Sequence, residues 1–186
     1  MRIISGEFGG RPLKAVPGTA TRPTTDKVKE AIFSMIGPYF EGGRSLDLYA
    51  GSGGLSIEGV SRGIDMAVLV DRQYAAVKTI NDNIAMTKAP ERFKVFKSTA
   101  ESVIQQLTGQ APFDLLYFDP PYAKQTIVAD LMNLTAANLI AKDALIVAET
   151  DQAADLPSDL PGFTFLKAKD YGITVVSLYQ YDGGQA

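Results

Sequence analysis

The chain has no cysteine and no histidine in its 186 residues. Without cysteine there are no disulfides and no thiolate metal sites. Without histidine the commonest metal ligand and the commonest general base near neutral pH are both missing. No metal is therefore expected, and any chemistry falls to carboxylates, lysine, tyrosine, hydroxyls or a bound cofactor. Long hydrophobic runs are missing too. The longest, such as 144–148, are far too short to cross a bilayer. Glu7, Arg11 and Lys14 fall where a signal peptide would need an unbroken apolar stretch. The expectation is a soluble, cytoplasmic protein with no membrane partner.

Hydrophobic residues make up 46% and charged residues 21%, ordinary values for a globular protein. This length buries a core without staples. One domain over 1–186 is expected, with residues 1–25 as a small extension, and the chain is read as a monomer. Net charge is −3 but unevenly spread. Residues 1–30 hold six basic residues (Arg2, Arg11, Lys14, Arg22, Lys27 and Lys29) against three acidic ones (Glu7, Asp26 and Glu30), a net +3; the remainder therefore sums to −6. A basic leader on an acidic body offers a phosphate-contacting surface through Arg2, Arg11 and Lys14, or simply a solvated segment.

Residues 2–4 and 12–16 flank a glycine-rich middle and predict a hairpin. A loop rich in Pro, Gly and Thr follows, and Thr25 or Asp26 can cap a helix with Val28, Ala31, Ile32, Met35 and Ile36 on its buried face. Gly37-Pro38 ends it. From Arg44 onward, strand-like runs at 45–49, 66–70, 94–97, 113–118 and 144–149 alternate with helix-like stretches at 55–62, 74–87, 100–107 and 126–139. That alternation predicts a parallel sheet with helices on both faces. Runs at 163–169 and 174–181, joined by Asp170-Tyr171-Gly172, predict an antiparallel hairpin at the last edge.

The first strand runs into Asp47-Leu48-Tyr49-Ala50-Gly51-Ser52-Gly53-Gly54. Glycines at a strand's carboxyl end let a ligand approach the backbone, and the N–H groups at the helix start favour a carboxylate or phosphate. The dinucleotide pattern G-x-G-x-x-G fails because Ser56 stands at its third position, and no Gly-Lys-Ser/Thr follows to make a P-loop. Asp47 would repel a pyrophosphate but suits an ammonium. The second strand ends at Asp71, placed to accept hydrogen bonds from ribose hydroxyls. An adenosine carrying an amino-acid tail satisfies both carboxylates, which describes S-adenosylmethionine.

The fourth strand ends Asp119-Pro120-Pro121-Tyr122. Proline keeps the preceding residue extended, so the Asp119 carboxylate is held at the strand's edge. Pro121 has no N–H, so the turn cannot close at once and the Pro120 carbonyl stays available. A carboxylate and a carbonyl together accept both hydrogens of an –NH₂ group, and Tyr122 offers an aromatic face to a base. No strong base is needed, because the proton leaves after the nitrogen becomes cationic.

With these motifs the chain resembles the RsmD-like methyltransferases, which modify the N2 amine of a guanine in bacterial 16S ribosomal RNA. The resemblance covers essentially the whole chain. It begins at Arg2-Ile3-Ile4-Ser5-Gly6 and continues through Arg22-Pro23-Thr24-Thr25-Asp26-Lys27-Val28-Lys29-Glu30, the stretch that selects this family. It then takes in 47–53 and Asp119 to Tyr122. The resemblance implies a class I methyltransferase fold, Rossmann-like, with seven strands. It implies S-adenosylmethionine at Asp47, Tyr49, Ala50, Gly51, Ser52, Gly53, Asp71 and Arg72 and beside Asp119, with the target guanine at Asp119, Pro120, Pro121 and Tyr122. Arg22, Thr24 and Thr25 look like RNA or cofactor-side contacts, and the expected partner is ribosomal RNA or the small ribosomal subunit. Many relatives place Asp or Asn before the fourth helix to meet the adenine; here Thr99 stands there, so the contact falls to Thr99 or to a backbone group near Ala100. Two alternatives stay open: an adenine-N6 methyltransferase using the same residues, and a non-catalytic RNA-binding assembly factor on the same fold.

Overall fold

The computed structural model describes residues 1–18, 24–121, 123–152, 154–172 and 174–183, without the side chains of 123–125. Two compact units divide the chain, Met1–Thr99 and Ala100–Ala186.

In the first unit, helix α1 spans Asp26–Ile36. Thr25 caps it, its Oγ1 accepting the Val28 N–H at 3.3 Å. The buried stripe is Lys29, Ile32, Phe33 and Ile36. The sequence pattern had placed Val28, Ala31 and Met35 inside; they are half-exposed, and a lysine is buried instead. The rotation follows from what Lys29 finds there. Its ammonium donates to the Arg2 carbonyl at 2.6 Å and lies 3.3 Å from Glu58.

Strand β1 (Arg44–Asp47), helix α2 (Gly54–Ser61), strand β2 (Met66–Asp71), helix α3 (Tyr74–Thr87), a 3-10 turn at Pro90–Arg92 and strand β3 (Phe93–Lys97) complete this unit. β2 pairs in parallel with β1 and β3. Its centre, Ala67 to Val70, is buried on both faces, as expected of a strand covered by helices. β1 stops two residues earlier than the pattern predicts. Asp47 Oδ1 accepts the Tyr49 N–H at 3.2 Å, a local side-chain bond that turns the backbone out of the ladder.

The N-terminal hairpin is reduced to one antiparallel bridge, Arg2 with Pro12. Ile3 N–H to the Arg11 carbonyl (2.9 Å) and Gly10 N–H to the Ile3 carbonyl (2.7 Å) hold its turn. Pro12 has no N–H to extend a ladder. Instead the segment is pinned to α2. Glu7 N–H donates to the Ser61 carbonyl at 2.7 Å, and a Cβ at Gly6 would overlap that same carbonyl.

The second unit holds helix α4 (Ala100–Leu107), strand β4 (Phe113–Phe118), helix α5 (Ala123–Ala136) and strands β5 (Ile140–Thr150), β6 (Phe163–Asp170) and β7 (Val175–Tyr181). α5 begins three residues before the predicted 126, because Ala, Lys and Gln are good helix formers once the prolines are passed. It ends where Asn138 turns left-handed, φ 57°. β5 is longer than predicted. A register irregularity between Phe113 and Leu115, with Asp143 at φ 67°, lets Ile140 pair with Phe113. β4 and β5 are parallel, and β7 runs antiparallel to both β5 and β6. Of the seven strands, the order is β3-β2-β1 in the first unit and β4-β5-β7-β6 in the second. The C-terminal hairpin forms the last edge, as the sequence pattern predicts. Its second strand enters beside β5, and β6 becomes the edge, guarded by exposed Lys167 and Lys169.

Candidate active site

In the first unit, the residues leaving β1 form a tight loop that delivers the chain into α2. Ala50 N–H donates to the Val70 carbonyl at 2.9 Å, and Gly53 N–H to the Ala50 carbonyl at 2.8 Å. Gly51 and Gly53 both have positive φ, 58° and 83°. Gly53 caps α2 in the left-handed region, and a Cβ there would press on Leu69 Cδ2 at 3.1 Å. Only glycine takes this position without strain.

Two carboxylates flank the loop. Asp47 is 3% exposed. Asp71 is half-buried at the end of β2. Its Oδ2 accepts the Gly51 N–H at 3.0 Å and its Oδ1 the Gln73 N–H at 3.0 Å. A carboxylate has about four acceptor sites, so Asp71 orients the loop and still has capacity for hydroxyls. Arg72 and Thr99 are exposed, and Ala100 opens α4. The Ser98 N–H donates to the Asp71 carbonyl at 3.1 Å, which ties the strand ends of β2 and β3 together. These residues fit S-adenosylmethionine: Asp47 for an ammonium, the amides at the start of α2 for a carboxylate, Asp71 for ribose hydroxyls.

In the second unit, β4 is buried from Leu115 to Phe118 and ends in an exposed Asp119, a buried Pro120 and an exposed Pro121. Two successive residues without an N–H follow the carboxylate, so this strand end is rich in acceptors and poor in donors. Tyr122, the fourth member of the predicted motif, lies outside the described residues, as does Arg22.

The predicted RNA-contacting residues have varied surroundings. Lys14 is 70% exposed, 3.6 Å from Asp82. Arg2 is largely exposed near Asp26. Arg11 instead donates to the Met86 and Thr87 carbonyls at 3.3 and 3.0 Å, closing the C-terminus of α3. The Thr25 hydroxyl serves as the α1 cap, and Thr24 is half-buried beside it.

Sequence reading missed a buried cluster that anchors the N-terminal extension and α1 to α2. Glu58, on α2, has no exposed surface. Its Oε1 accepts the Ile4 N–H at 2.8 Å, and its Oε2 accepts the Ser5 N–H at 3.1 Å and Arg62 Nε at 2.8 Å. Arg62 also donates to the Pro38 carbonyl at 3.2 Å. Burial holds the Lys29 ammonium below its ordinary pKa, with Glu58 opposing that fall. The available signal was Glu58 itself, the one charge in the otherwise apolar or small Gly54–Ser61.

The sheet order, the single antiparallel strand and the glycine loop flanked by carboxylates define a class I methyltransferase fold. The chain belongs to the RsmD family, whose family description is Conserved hypothetical protein 95 and whose match runs over residues 1–180. It is 43% identical over 184 residues to Bacillus subtilis YlbH, covering 98% of this chain and 100% of that protein. It is 32% identical over 181 residues to the ribosomal RNA small subunit methyltransferase D of Escherichia coli K12, covering 97% of this chain and 89% of that one. The solved Escherichia coli protein yhhF matches with a TM-score of 0.86 at 30% identity, covering 99% of each chain. Fold and family together make this chain a methyltransferase. Among the described residues, no helix is long and apolar enough to cross a membrane.

Proposed function

We propose that this chain methylates the exocyclic N2 amine of a guanine in small-subunit ribosomal RNA, using S-adenosylmethionine. The observation that carries the reading is the strand end Asp119-Pro120-Pro121, a carboxylate followed by two residues without N–H groups, in a methyltransferase fold. Such an end accepts hydrogens and does not donate them, which suits an –NH₂ group. The ribosomal target is supported by the relative named for small-subunit ribosomal RNA. Guanine N2 is supported by the family resemblance carried by 2–6 and 22–30.

When bound, S-adenosylmethionine supplies an electrophilic methyl group on a sulfonium. Asp47 would hold its ammonium, the amides opening α2 its carboxylate and Asp71 its ribose. Asp119 and the Pro120 carbonyl accept the two amine hydrogens, which turns the nitrogen lone pair out of conjugation. The bound cofactor would supply the methyl group to the amine nitrogen and keep the sulfur as its thioether product, and Asp119 or water would take the amine proton once the nitrogen is cationic. Alignment and hydrogen bonding supply the rate, so no histidine is needed. Tyr122 is assigned the stacking face for the flipped or unpaired base. Arg2, Arg11, Lys14, Arg22, Thr24 and Thr25 are assigned the RNA side of the site, with Arg2, Lys14 and Arg22 for its phosphates.

The test is incubation with labelled S-adenosylmethionine and small subunits from a strain lacking the gene, followed by nucleoside analysis. N2-methylguanosine is expected. N6-methyladenosine as the sole product overturns the base assignment. Absence of cofactor binding by calorimetry at millimolar concentration overturns the enzymatic reading in favour of an RNA-binding role.

A further inference from the structure

Asn83 lies within α3, has no exposed surface and takes no part in the chemistry above. An asparagine inside a helix is unfavourable, and a buried amide is costly unless its groups are paired. Here they are paired across three segments. Asn83 Oδ1 accepts the Lys14 N–H at 2.8 Å. Asn83 Nδ2 donates to the Lys14 carbonyl at 3.0 Å and to the Ser52 carbonyl at 2.9 Å.

Both backbone polar groups of Lys14 are thus held by one side chain, as a neighbouring strand would hold them. The remaining bond goes to the peptide between Ser52 and Gly53. That peptide's N–H donates to the Ala50 carbonyl at 2.8 Å. A planar peptide held at both its oxygen and its hydrogen has a fixed orientation, and this one sets the left-handed Gly53 that opens α2. At the other end, the Lys14 ammonium is 70% exposed and lies 3.6 Å from Asp82, the residue preceding Asn83. A phosphate that draws the ammonium away from Asp82 pulls on a residue whose backbone is held by the same amide that holds the loop.

We propose that Asn83 is a positioning residue that couples RNA engagement at Lys14 to the shape of the cofactor loop, so that RNA and S-adenosylmethionine strengthen each other's binding. This rests on the function proposed above. The lever is one buried amide that has to keep both carbonyls and one N–H satisfied at once.

The experiment is equilibrium dialysis of labelled S-adenosylhomocysteine, the unreactive product, against the full chain with and without saturating small subunits that lack the modification. Subunits are expected to tighten its binding by about fivefold or more, the low end of ordinary allosteric coupling. Asn83→Ala should bring that ratio close to one. Asn83→Asp, nearly the same size but unable to donate to either carbonyl, should do the same and serves if the alanine variant does not fold. Tyr179→Phe, a change in the second unit, should leave the ratio as it was, which separates coupling from general loss of stability. A ratio of one in the unmodified protein overturns the coupling while the methyl transfer reading stands. A folded Asn83 variant with the full ratio overturns the role of Asn83. If the unmodified protein binds no S-adenosylhomocysteine, the proposed function falls and the coupling with it.

Discussion

The loop after β1 and the segment after β4 both end buried parallel strands, yet they are held by opposite means. Residues 47–53 are fixed by hydrogen bonds that their N–H groups donate to Asp47, Asp71 and the Val70 carbonyl, and by one that Asn83 donates to the Ser52 carbonyl. Asp119-Pro120-Pro121 contains two prolines, whose rings fix φ and whose nitrogens cannot donate. The first segment leads into the N–H groups that open α2 and is flanked by two carboxylates. The second follows a carboxylate with two residues that can accept but not donate. Donor-rich backbone suits the tail of an amino acid; donor-poor backbone suits an amine. In the function proposed above the two strand ends serve two chemistries, and the difference lies in which backbone groups are left for a ligand.

The largest expected effect lies in the unit that carries the first segment and tests how α2, which follows it, anchors the N-terminal extension. Glu58→Ala leaves Lys29 and Arg62 buried without their shared carboxylate and frees the Ile4 and Ser5 N–H groups. Breaking a buried ion pair in this way costs about 3–5 kcal/mol, to be read from urea unfolding. A loss below 1 kcal/mol would mean that the extension is not anchored through Glu58. Next comes Asp119→Ala. Removing one preorganised group at a reacting centre costs roughly a hundredfold or more in kcat, while S-adenosylmethionine binding should hold, since Asp47 and Asp71 are untouched. Normal turnover by this variant would end the role given to the acceptor-rich segment.

Gly53→Ala should cost about 1–2 kcal/mol through its left-handed backbone, with weaker cofactor binding at unchanged kcat. The smallest effect separates the two units by alkali. Burial raises the pKa of Tyr179 above 10.0, and its hydroxyl donates to the Pro157 carbonyl at 2.7 Å. Above pH 10 the unfolded state loses this proton first, so stability falls as pH rises through the folded pKa. Lys29 works the other way. Its folded pKa lies below 10.5, so between the two values the unfolded state holds the extra proton and stability rises with pH. Tyr179→Phe should cost about 1 kcal/mol at neutral pH and flatten the alkaline loss, as seen in urea midpoints at pH 9 and 11. An unchanged slope would remove Tyr179 from the account.

Most helices and strands were legible because apolar spacing reports burial directly. α3 and α4 fall where the pattern puts them, and β4 does as well. Boundaries moved for local reasons that periodicity does not weigh, polar ones at Asp47 and Asn138 and helix propensity at the start of α5. Lys29 was read as part of a basic surface and is instead buried. Its position at the spacing of Ile32, Phe33 and Ile36 carried the signal, but a lysine there is credible only once Glu58 is known to face it.

The sequence alone determined the alternating α/β architecture, the glycine loop between two carboxylates and the acceptor-rich strand end. Each is a local consequence of residue type: missing Cβ atoms, missing N–H groups, charges at strand termini. Tertiary structure decided the insertion of β7 beside β5, the burial of Lys29 with Glu58 and Arg62, and the reach of Asn83 to Lys14 and Ser52. Those depend on residues distant in the chain meeting in space, and a buried polar group shows its role only when its partner is in view.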